Sequence, residues 1–104
     1  MSSAPNEREE TEMETGPVDI SLLDLYPLLE LFIGLLSEQA WRYMGLRVDP
    51  RTNEIKKDLV RAHVAIDCIS SFVDKIEPHL TSGDKDRLRN LITDLQINYA
   101  QQMK

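Results

Sequence analysis

Apolar residues recur along this chain at spacings of three and four in three separate stretches. The clearest runs through Ile55, Leu59, Ala62, Ile66, Ile69, Val73 and Ile76. Alternating steps of four and three keep side chains on one side of an α-helix, so the spacing predicts a helix with a packing seam. Ala65, Cys68 and Phe72 widen the apolar arc on one flank, as a helix covered by two neighbours requires. Pro78 ends it, because the residue before a proline is pushed out of helical geometry.

Upstream, Ser21-Leu22-Leu23-Asp24 has the form of a capping box, with Ile20 and Leu25 placed as a hydrophobic staple. A helix is expected from Leu25 or Pro27 to Met44, with Pro27 either kinking it or opening it. Gly45 stands where a left-handed C-terminal residue belongs. At 100° per residue, Leu28, Leu29, Phe32, Ile33, Leu35, Leu36, Ala40, Tyr43 and Met44 share one broad face, read as core. Glu30, Gly34, Ser37, Glu38 and Trp41 fall on the other side. Downstream, Thr81-Ser82-Gly83-Asp84 resembles another capping box, and Leu88, Leu91, Ile92, Leu95, Tyr99 and Met103 mark the inner face of a third helix.

Val48 to Glu54 joins the first two helices with turn chemistry: Asp49 and Pro50 favour its opening positions and Asn53 tolerates a left-handed backbone. The only strand-like feature expected is a short ribbon around Asp49 to Asn53. Short connections force antiparallel neighbours, which gives an all-α, three-helix, up-down-up domain over residues 20–104. Residues 1–19 hold six acidic side chains against Arg8 and almost no apolar content, so they are expected to form a disordered acidic tail. As a function, that tail reads as a solubilising leader or as an arm for a basic partner.

Composition narrows the setting. Only six residues are aromatic, so Leu, Ile and Val build the core. One cysteine, Cys68, excludes an internal disulfide framework and fits a reducing compartment, the cytoplasm by default. The chain opens on acidic residues and not on a signal peptide, and Leu28 to Leu36, interrupted by Glu30, is too short for a membrane span.

Candidate chemistry is sparse. No phosphate loop, nucleophile motif or metal-ligand spacing occurs, so no catalytic, cofactor-binding or metal-binding residue, no enzyme activity and no small-molecule substrate is expected. His63 and Asp67, four residues apart, read as a polar pair on the solvated side of the second helix. Cys68 reads as a flank of the core. Leu31, Gly34, Ser37 and Trp41 are taken as an outward strip where another helix approaches, in a homo-oligomer or against a protein partner. The alternative is that Trp41 folds over the bundle end and Gly34 is merely tolerated. Arg42, Arg47, Arg51, Lys56, Lys57 and Arg61 cluster as a basic tip around the first turn. That tip supports a second reading, a nucleic-acid- or ribosome-associated factor, against which stand the acidic balance and the lack of an interleaved aromatic. The first reading remains a non-catalytic interaction or assembly module that works by helix packing.

From Ser37 to Met103 the chain resembles a small bacterial family known as domain of unknown function 1844. The matching blocks are Gln39-Ala40-Trp41 through Met44-Gly45, Asp49-Pro50-Arg51-Thr52-Asn53-Glu54, Lys57-Asp58-Leu59 with Ala62, Ala65, Ile66 and Asp67, and Leu91 to Leu95 with Tyr99. The resemblance implies an all-α domain and supplies no activity. Asn53 stands where the family usually has glycine, and Gln96 where it favours arginine; if that arginine pairs with the acid at Asp67, the pair is absent here and Asp67 needs a partner from the first helix or another chain.

Overall fold

A computed structural model describes residues 19–104. Apart from Asp19, the expected acidic tail lies outside them. The chain forms α1 (Leu25–Tyr43), α2 (Leu59–Ile76) and α3 (Ser82–Gln102), with 3-10 turns at Ile20–Leu22 and Glu77–His79. Both α1 and α3 pack on α2 and meet each other only weakly, so the middle helix is the sandwiched one. The fold class is all-α, three helices running up, down and up.

The seam of α2 forms as the spacing requires. Ala62, Ala65, Ile66, Ile69, Val73 and Ile76 are buried, joined by Ile33, Ala40 and Met44 from α1 and by Leu88, Ile92 and Leu95 from α3. Apart from two positions of α1 described below, three expected core positions fall outside it. Ile55 precedes the first turn of α2 and is exposed; Met103 lies past the last turn of α3 and is exposed; Cys68 is exposed on the α1 side of α2.

The helix ends follow backbone supply and demand. Asp58 caps α2 by accepting the Arg61 N–H at 3.0 Å, and Thr81 caps α3 by accepting the Asp84 N–H at 3.2 Å. The box expected at Ser21 does not form. Asp19 instead accepts both the Ser21 N–H, at 3.1 Å, and its hydroxyl, at 2.6 Å, closing the first 3-10 turn. Ile20 and Leu25, the expected staple, are both exposed. Asp24 is then the N-cap of α1, and Pro27 falls at the third helical position. A missing N–H costs nothing there, since first-turn donors have no helical acceptor, so Pro27 neither opens α1 nor breaks its ladder.

Beyond α1 the chain turns sharply. Gly45 has φ +82, and the Tyr43 carbonyl accepts the Asp58 N–H at 2.7 Å, tying the end of α1 to the start of α2. Asn53 is left-handed at φ 58, within a turn closed by the Asp49 N–H donating to the Glu54 carbonyl at 2.8 Å. This single antiparallel bridge is the extent of the expected ribbon.

Candidate functional site

The apolar arc of α1 is wider than the seam that α2 covers. The nine apolar positions centre near Leu36 and Tyr43, whereas the buried stripe is Ile33, Ser37, Ala40 and Met44, displaced by roughly 80° around the helix. One half of the arc is core; the other half is left facing outward. Ser37, placed by spacing on the outer side, is therefore buried, at 7% exposure. It tolerates this because its hydroxyl donates to the Ile33 carbonyl at 2.7 Å, a bond made within the helix.

The strip proposed from Leu31, Gly34, Ser37 and Trp41 is thus not one surface. Ser37 is in the core, and Trp41 packs against it from the flank with the Arg47 guanidinium 5.9 Å from its ring. Gly34 is exposed, with nothing beyond its chain neighbours and its own helix backbone within 4 Å of where a β-carbon would sit, and Leu31 is half-buried. The uncovered apolar surface lies on the opposite flank of α1. There Phe32 (36% exposed), Leu35 (53% exposed), Leu36 and Gln39 face Cys68 and Phe72 of α2 across a groove of ≈ 430 Å³. Spacing alone does not reveal this groove, because it places Phe32 and Leu35 on the core face.

At Gln39 the groove meets a second concavity, of ≈ 590 Å³, which gathers most of the basic tip. Arg42 and Tyr43 come from the last turn of α1, Arg47, Asp49, Arg51 and Lys56 from the connection, and Arg61 from the first turn of α2. Lys57 is set apart, its aliphatic stem lying against Gly45. Tyr43 supplies an aromatic wall that the spacing of the charges did not reveal.

Several of these cations are held by carboxylates. Arg51 grips Asp49 with two donors, Nε at 3.3 Å and Nη2 at 3.1 Å, while its own backbone N–H donates to the same carboxylate at 2.9 Å. Those bonds from Arg51 hold the Asp49 carboxyl below the usual range, and the pair raises the Arg51 guanidinium in turn. Arg61 pairs with Asp58 at 3.0 Å. Arg47 pairs with Glu38, whose carboxyl is lowered by that hydrogen bond. Arg42 and Lys56 have no carboxylate within 4.0 Å among the described residues. The charge of Arg42 nevertheless reaches both Glu38 and Asp49, lowering each.

The polar pair of α2 also takes a definite place. His63 Nδ1 lies 3.5 Å from Asp67, and the His63 ring sits 5.5 Å from Tyr99 of α3. The pair thus borders α3, and Asp67 finds its partner within its own helix. No third ligating side chain joins them among the described residues. At the far end, Arg89 of α3 binds Asp74 at 2.8 Å and Glu77 at 2.6 Å, and Arg87 reaches Glu30 of α1 at 3.0 Å. The Arg89 hydrogen bond lowers Glu77. Tyr26 stacks on His79 at 4.6 Å, fixing the start of α1 against the second 3-10 turn.

These features define a class: an all-α packing domain with an apolar groove running into a basic basin, and with no described helix long and apolar enough to cross a membrane. The sequence places it more narrowly. Residues 27–101 match the family described as Domain of unknown function (DUF1844), and the chain belongs to it. No curated protein and no solved structure matches it.

Proposed function

We propose that the protein is a non-catalytic assembly module of the cytoplasm that associates with a second copy of itself through the groove between α1 and α2. The observation that carries this reading is the exposure of Phe32 and Leu35 beside Phe72 and Cys68, with only Gln39 as a polar neighbour among the described residues. A contiguous apolar surface of this kind on a small domain is a mark of association. A second copy suits it for two reasons. Phe32 and Leu35 line the groove and are themselves exposed, so a two-fold axis lets this apolar lining of each copy pack against that of the other. Residues 20–104 carry twelve acidic and eleven basic side chains, so two such domains meet without strong net repulsion. The lone Cys68 fits the reducing compartment.

Sedimentation equilibrium over a dilution series tests this. The intact chain is expected to show a mass that rises toward twice the monomer with concentration, and Phe32→Glu or Leu35→Glu to hold it at the monomer while circular dichroism stays helical. A wild-type mass that remains monomeric at every concentration, or a dimer indifferent to both substitutions, refutes self-association at this groove.

A further inference from the structure

We infer that the basin at the α1–α2 connection is a binding site for the phosphate groups of a small phosphorylated molecule, a role separate from the apolar groove. The inference starts from cations that the fold leaves without a direct ion pair among the described residues. Arg51 and Arg61 are matched by Asp49 and Asp58, whereas Arg42 and Lys56, which also line the basin, have no carboxylate within 4.0 Å among the described residues. Gathering cations around one hollow is costly unless an anion visits it, because each raises the potential felt by the others. Lys56 is exposed and Arg42 half-buried, so one brings a mobile ammonium and the other a guanidinium fork held near the wall. Tyr43 adds an aromatic side chain to the lining.

Shape selects the ligand class. Duplex readers push a convex helix or ribbon into a groove of the nucleic acid, whereas this surface is concave and ≈ 590 Å³ in volume, the size of a site for one small molecule. Two cations without a direct ion pair match a ligand with at least two anionic charges, such as a diphosphate group. The Asp49–Arg51 clamp fixes the rim, since Asn53 N–H also donates to the Asp49 carbonyl at 2.7 Å and holds the turn in place. This reading departs from the expectation that no small molecule binds.

Calorimetric titration of the full chain with inorganic pyrophosphate at low ionic strength provides the test, together with a single-stranded oligoribonucleotide titrated in parallel. Saturable pyrophosphate binding is expected, weakened roughly tenfold or more when Arg42→Ala and Lys56→Ala are combined and unchanged by Lys75→Ala at the far end of α2. Amide resonances of Arg51 and Asn53 are expected to shift on titration while those of Leu88 to Leu95 stay fixed, a readout that stands even if the double variant loses its fold. Absent binding, equal binding by all variants, or shifts spread evenly over the domain overturn the proposal. Tighter binding of the oligoribonucleotide than of pyrophosphate overturns it in favour of a nucleic-acid surface.

Discussion

Replacing Ile69 by alanine probes the sandwiched seam at its centre. Ile69 is 0% exposed and lies among residues contributed by both flanking helices. The substitution removes three buried carbons, worth about 0.8 kcal/mol each in transfer alone, or ~2.4 kcal/mol. A residual cavity adds to this, because neighbours on two sides are held by their own helices and relax only in part; ~3 to 4 kcal/mol in total is expected. A domain of this size has a total stability of about 4 to 13 kcal/mol, so the loss is a large fraction of it and lowers the midpoint by roughly 15 to 25 °C. Val64, on the same helix but 57% exposed, supplies the control: Val64→Ala is expected to cost less than about 0.5 kcal/mol. Urea unfolding followed by circular dichroism measures both. An Ile69→Ala cost below about 1 kcal/mol, or one equal to that of Val64→Ala, refutes the placement of α2 between α1 and α3.

The turn offers two further predictions. Gly45→Ala meets no clash, its β-carbon falling 3.5 Å from the Lys57 stem, but it forces alanine to φ +82; a loss of about 1 to 2 kcal/mol in urea unfolding is expected from backbone strain alone. Asp49 is expected to titrate below an ordinary aspartate in carbonyl-detected NMR, and Arg51→Ala to return it toward the usual range, because the Arg51 hydrogen bonds are the chief cause of the lowering. The sign follows from the depressed folded value. The clamp stabilises the turn at and above the ordinary carboxylate range and is lost as pH falls through the depressed value, so loosening of the Asn53 amide on acidification should occur at higher pH in Arg51→Ala.

Where sequence pattern predicted structure well, local chemistry and tertiary packing agreed. The α2 seam needed only its own spacing, since neighbours on both sides cover it, and Gly45, Asn53 and Thr81 each serve a backbone need written within a few residues. Helix α1 was harder for a physical reason. Its apolar arc spans nearly half the circumference, and periodicity cannot say which half α2 covers. That ambiguity put Ser37 outside and Phe32 and Leu35 inside, the reverse of what the packing produces. Ile55 and Met103 continued a spacing past the ends of their helices, where direction around an axis no longer has meaning. The basic tip was legible as a count of charges. Its concavity was not, because it depends on the connection folding Arg51 and Lys56 back toward Arg42.

The central claim, that the α1–α2 groove is covered by a second copy, is tested most directly by the one thiol in the chain. Cys68 lies on the groove wall and is exposed in the single chain. Its alkylation rate by iodoacetamide, followed by mass spectrometry over a protein dilution series, is expected to fall as concentration rises in the wild type and to stay flat and fast in Leu35→Glu. A wild-type rate that does not change with concentration, in a range where sedimentation shows dimer, contradicts the account.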